Sequence, residues 1–183
     1  MHAPYPPYGL AIVPDPAMAW ATACQAAKIV VMSTVRVVAE RSIAAPPDVV
    51  YACIANYQEH HRPGGFLPPS FSDFRVERGG VGAGTVISFK MTLGGQTRSS
   101  TQTVSEPDPG HVLVESGKGI TTTFTVEPDA AGCRVRFDTR LEASGIEGLM
   151  TRLFAPRLLQ PVYQDELQRL ETYAQQVGAA HSR

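Results

Sequence analysis

Between residues 71 and 143 the chain breaks into six short segments of strand character, and one long helical pattern, from about Glu147 to Val177, follows them. The segments are 71–78, 85–91, 96–106, 111–116, 120–127 and 133–143. They are separated by short joints rich in glycine, proline and aspartate, such as Gly94-Gly95, Pro107-Asp108-Pro109-Gly110 and Gly117-Lys118-Gly119. Joints this short connect neighbouring antiparallel strands, so the pattern predicts a meander. One more strand, 34–43, and a shorter helix, from Pro46 to about Asn56, come before it. A long curved antiparallel sheet cannot cover its own concave face. One amphipathic helix covers it incompletely, and a cavity between helix and sheet is expected.

The pattern of single residues supports these elements. Val35, Val37, Ala39 and Ile43 alternate with Arg36, Glu40 and Ser42, which gives the first strand one buried face. Cys133, Val135, Phe137, Thr139 and Leu141 alternate with charged residues in the last strand. Pro46-Pro47-Asp48 opens the short helix, with proline in the first turn and an acid at the positive end. The closing helix carries Leu149, Leu153, Pro156, Gln160, Tyr163, Leu167, Leu170 and Ala174 at three- and four-residue spacing, one stripe along one face. Pro156 and Pro161 predict a bend or break inside it.

Residues 1–31 differ from the rest. Five prolines stand among the first sixteen residues, and the first basic residue is Lys28, so the segment lacks the basic start of a secretory signal. It is expected to be a disordered or loosely packed extension. The folded domain is expected over 32–178, with 179–183 as a tail. Met32 is a candidate translation start, which sequencing of the native N-terminus would decide. Sixteen Lys+Arg against seventeen Asp+Glu give a formal charge of −1. That balance argues against nucleic acid as a partner. Three cysteines without a CxxC spacing fit reduced thiols in the cytoplasm. No apolar run reaches the ~20 residues that span a bilayer.

Several segments invite chemical readings. Gly79-Gly80-Val81-Gly82-Ala83-Gly84-Thr85 lacks the lysine and the following helix of a phosphate loop, so a flexible hairpin turn is expected. His60 and His61 point about 100° apart on a helix and do not share a metal readily. They read as two solvated loop histidines, or one lines the cavity mouth as a base. Phe66 and Leu67, between Gly64-Gly65 and Pro68-Pro69, look like an exposed cavity lip. The strand around Gln96, Arg98, Ser100 and Gln102 has no apolar face. Either it lines a polar patch in the cavity, or it lies where the sheet is thinly covered. Arg98 and Glu115 are candidates to orient a ligand, and Tyr57, Thr122 and Tyr163 are candidate cavity hydroxyls. No carboxylate pair with a clear role stands close in sequence, and no metal ligand set is found.

The segment from about Val35 to Ala174 resembles the START-like SRPBCC superfamily, in its polyketide cyclase/dehydrase and lipid-transport branch. The resemblance rests on Glu40-Arg41-Ser42-Ile43-Ala44-Ala45-Pro46-Pro47-Asp48-Val49-Val50-Tyr51 and on Val104-Ser105-Glu106-Pro107-Asp108-Pro109-Gly110-His111-Val112-Leu113-Val114-Glu115. Thr123-Phe124-Thr125-Val126-Glu127-Pro128 and Gly132-Cys133-Arg134-Val135 extend it. It implies an α+β helix-grip fold: a curved antiparallel seven-stranded sheet wrapped around a long C-terminal helix, with a hydrophobic tunnel.

The expected function is binding of a small hydrophobic ligand (a lipid, polyketide or aromatic metabolite), without cofactor or metal, by a monomer or homodimer. Its expected lining is Tyr57, His60, Phe66, Leu67, Arg98, Glu115, Thr122, Phe124, Phe137, Leu149, Leu153 and Tyr163, with Leu149, Leu153 and Phe66 at the mouth. One alternative is a cyclase or dehydratase that holds an enolate with Arg98 or a tyrosine hydroxyl such as Tyr163 and moves protons through His60. A second alternative is a protein-interaction module.

Overall fold

Consecutive strands pair with their neighbours wherever the joint is short, and this builds the sheet. The computed structural model describes residues 32–62 and 64–181, with side chains over 34–62, 64–142 and 153–180; residues 1–31, 63, 182 and 183 lie outside it. Strand β1 (Met32–Ile43) is followed by helices α1 (Pro47–Ala55) and α2 (Tyr57–His60). The meander then runs through β2 (Phe71–Arg78), β3 (Val86–Leu93), β4 (Gln96–Asp108), β5 (Val112–Gly117), β6 (Ile120–Asp129) and β7 (Gly132–Ser144), and helix α3 (Gly145–His181) closes it. The seven strands form one antiparallel sheet in the order β1-β7-β6-β5-β4-β3-β2. The first strand therefore pairs with the last, and α1–α2 carry the chain from one edge of the sheet to the other.

Turn chemistry fixes the register. Leu93 faces Gln96 across the β3–β4 hairpin, and both Gly94 and Gly95 take positive φ (56° and 78°), as a two-residue turn matching the strand twist requires. The core lies between the concave face and α3. Leu113, Phe124, Phe137 and Ala39 make one row across β5, β6, β7 and β1, and Phe124 meets Phe137 edge to face at 4.7 Å. From α3, Leu159, Tyr163, Leu167, Leu170 and Ala174 are buried against this side. Each fully buried leucine stabilises the fold by about 1.5–3 kcal/mol.

Helix α3 differs from its expectation in three ways. It is one continuous helix through Pro156 and Pro161, so the prolines remove backbone bonds without breaking it. It runs to His181, past the expected domain end at 178. Its inward stripe includes Leu159 and Glu166, whereas Gln160 and Leu153 are exposed. The glycine-rich 79–84 segment is pinned rather than flexible. Gly80 O accepts hydrogen bonds from the Tyr57 and Gln58 amides at 2.8 and 3.3 Å, and the Gly82 amide donates to Ala55 O at 2.9 Å. A Cβ at Gly80 would stand 2.4 Å from the Gln58 side chain, so glycine is what allows this contact. The contact sets the break between α1 and α2, and so the position of Tyr57.

Candidate functional site

The concave face carries one polar row in an apolar surround. Val104, Glu115, Thr122, Thr139 and Val37 face one another in turn across β4, β5, β6, β7 and β1. Beside them on the same face of β4 lies Gln102, whose side chain covers Gly117; a Cβ on Gly117 would approach Gln102 Cγ to 3.1 Å. Tyr57 from α2 and Tyr163 and Glu166 from α3 reach the same row. Gln102, Glu115, Thr122, Thr139, Tyr57, Tyr163 and Glu166 are all buried.

Hydrogen bonds join most of this belt. The Tyr57 hydroxyl donates to Glu115 Oε1 at 2.7 Å. Thr139 Oγ1 shares hydrogen bonds with Thr122 Oγ1 (2.9 Å) and with the Tyr163 hydroxyl (2.8 Å). Two acceptors stand apart: Glu166 Oε2 and Gln102 Oε1 are buried without a hydrogen-bond partner among the described residues. An unsatisfied buried acceptor costs roughly 1–3 kcal/mol. Burial pushes the Glu115 carboxyl up to about 7, against a smaller opposing pull from the Tyr57 bond. Burial also pushes Glu166 up to about 8, and the nearby Glu115 and Asp165 add to it. Near neutral pH burial therefore holds both carboxyl groups toward the protonated form, and two such groups in one site are what acid–base chemistry can use. Burial raises the Tyr163 hydroxyl as well, partly offset by its bond to Thr139.

The structure sorts the expected site residues into groups. Tyr57, Glu115, Thr122 and Tyr163 converge on the belt, and Phe124 and Phe137 form the adjoining apolar row. His60 and His61 are not solvated. Tyr173 covers His60, sharing a hydrogen bond with its Nδ1 at 2.9 Å, which ties His60 to α3. His61 Nε2–H donates to Ile54 O at 2.9 Å, and burial lowers its imidazole to about 4, so it is neutral. Phe66 is no exposed lip. At 2% exposure it is packed on the His61 ring, with centroids 4.8 Å apart, and near Tyr173; Leu67 is half-buried. Gly65 allows this turn inward, since a Cβ there would fall 1.8 Å from His60 O.

The two ends of the Gln96–Gln102 stretch differ in burial. Gln102 belongs to the belt, while Gln96 to Ser99 are exposed. Arg98 lies there, opposite Met91, on the same face of β4 as Gln102. On α3, Leu153, Phe154 and Leu158 are 51%, 46% and 38% exposed, and Leu158 lies close to the Gly94 turn. The Leu149 side chain lies outside the described residues. A cleft of about 300 Å³ lies elsewhere, between Ala45, Pro46 and Val49 of the α1 entry and Ala174 and Gly178 of α3.

Sequence reasoning missed Glu166 and Thr139 as members of the site. Glu166 stands three residues after Tyr163 and four before Leu170, inside the inward stripe; a carboxylate at that spacing was the available signal. With Glu115 it forms the acid pair that the linear sequence did not offer. No group of three or more metal-ligating side chains gathers among the described residues, and no described helix is long and apolar enough to cross a membrane.

Comparison with known proteins places this geometry. The sequence model described as polyketide cyclase / dehydrase and lipid transport matches residues 34–175. No curated protein matches the sequence at a significant level. Among solved structures, the chain is similar to the KanY protein, at 29% identity and a TM-score of 0.67 over 78% of this chain and 99% of that one. It is similar in fold to TTHA0849 of Thermus thermophilus, at 23% identity and a TM-score of 0.62, covering 78% and 98% of the two chains. The di-domain aromatase/cyclase StfQ of the steffimycin biosynthetic pathway shares the fold at 15% identity and a TM-score of 0.65, over 80% of this chain and 52% of that one.

Proposed function

The chain belongs to the polyketide cyclase/dehydrase and lipid transport family, a branch of the START-like SRPBCC superfamily, and from that premise we propose that it binds a small, largely apolar molecule carrying a polar group at one end. The apolar part lies along Phe124 and Phe137, and the polar group meets the belt of Glu115, Tyr57 and Glu166. The observation that carries this reading is the pair of buried, unpartnered acceptors, Glu166 Oε2 and Gln102 Oε1. A ligand that bonds to them offsets a burial cost that the protein alone bears. Native mass spectrometry of the purified protein tests it, together with uptake of a neutral apolar fluorescent probe. A retained small molecule or saturable probe uptake is expected. Neither one occurring would overturn the reading.

The acid pair favours a second reading, a cyclase or dehydratase. Glu115 would take a proton from a carbon next to a carbonyl. Glu166 would give its proton to the departing hydroxyl, which leaves as water while the carbon–carbon double bond forms. Loss of turnover in both Glu115→Gln and Glu166→Gln, with binding retained, distinguishes this from binding alone.

A further inference from the structure

Once Glu115 and Glu166 are ionised, whatever enters the belt meets acceptors and few donors. The Tyr57 hydroxyl is already committed to Glu115, and the hydroxyls of Thr122, Thr139 and Tyr163 bond to one another. Gln102 turns its amide NH₂ toward Ser100 Oγ at 3.3 Å and leaves Oε1 unpartnered on the concave face. Two carboxyl groups from separate elements, β5 and α3, stand close enough for Glu115 to act on Glu166. The charged and titratable groups that act on the pair are Tyr57 from α2, Tyr163 and Asp165 from α3, and, further out, Tyr51 and Glu106 through Tyr57. None of these is a cation. An anionic head group would add a third negative charge to a buried site. A hydroxyl head supplies a single donor, whereas a primary ammonium supplies three donors and the opposite charge.

We propose that this belt selects ligands whose polar end is a primary amine, held as an ammonium between Glu115, Glu166 and Gln102, over isosteric alcohols and carboxylates. The inference rests on the binding reading above and names the ligand class of the same site. Amine binding requires the carboxyl groups ionised, so affinity rises with pH as they lose their protons between about 7 and about 8. Alcohol binding has no such requirement and stays flat.

The test is displacement of the neutral probe N-phenyl-1-naphthylamine by decylamine, decanol and decanoate at about pH 6 and about pH 8.5. At the higher pH decylamine is expected to displace the probe at least about tenfold more effectively than decanol, with decanoate weakest, and the amine-to-alcohol ratio falls by about tenfold on acidification. Glu166→Gln lowers that ratio toward one. Should that variant not fold, the pH profile of the unaltered protein decides the matter alone. Equal displacement by all three, or tightest binding of decanoate, overturns the amine assignment while leaving the binding reading intact. No probe uptake by the unaltered protein overturns both.

Discussion

Replacing Glu166 with glutamine should change how stability depends on pH, and the size of the change follows from the belt. The folded chain holds the Glu166 proton up to about pH 8, whereas the ordinary carboxyl value is 4.5. Between those values the unfolded state has released a proton that the folded state keeps, so stability falls as pH rises, and the loss is complete above about 8. Glu115 acts in the same direction up to about 7. His61 opposes them: its folded value near 4 lies below the ordinary 6.5, so it adds stability as pH rises toward 6.5 and nothing beyond. Above pH 6.5, then, of these three buried groups only the acid pair acts. From there to about pH 8, one proton at about 1.4 kcal/mol per pH unit amounts to about 2 kcal/mol from Glu166. Urea denaturation of both proteins from about pH 6.5 to about pH 8.5 measures it. Relative to the unaltered chain, Glu166→Gln should gain about 2 kcal/mol across that range. A difference that stays constant within about 0.5 kcal/mol would show that Glu166 is ionised at neutral pH and that the reasoning about the belt is wrong.

Tyr57→Phe removes the one hydrogen bond that favours the ionised form of Glu115. It should cost about 1–3 kcal/mol in thermal or urea unfolding and move the acid limb of any binding profile to higher pH. Leu153 is half-exposed, so Leu153→Trp should change stability by less than about 0.5 kcal/mol. It should nevertheless reduce uptake of an apolar probe several-fold; unchanged uptake in the folded variant would place the entrance elsewhere.

Local patterning carried much of the fold into view. Alternation in β7 placed Cys133, Val135, Phe137 and Thr139 on the inner face, where all four are buried, because period-two patterning reports directly which face meets a core. Glycine pairs located the turns for a similar local reason. The site was less legible, since its members come together only through pairing distant in sequence. Glu115 and Glu166 lie on a strand and a helix that no spacing rule connects. His60 looked solvated because the group that covers it, Tyr173, is 113 residues away. Phe66 looked like a lip because a Gly-Pro setting usually marks exposed loops, whereas here Gly65 turns the chain inward against the His60 backbone.

The pairing of β1 with β7 also governs how the chain is made. Arg36 and Asp138, which bond across that pair, are 102 residues apart. At roughly 5–20 residues per second of synthesis, β1 waits on the order of 5–20 s before β7, its strand partner among the described residues, exists. During that interval Val35, Val37 and Ala39 have no sheet to cover them, and the meander from β2 to β6 forms without either the closing strand or α3. Contacts this distant in sequence slow folding and make its last steps concerted. A ribosome that stalls before β7 leaves a nascent chain with an apolar strand face and two open sheet edges, the form in which this protein most needs a chaperone.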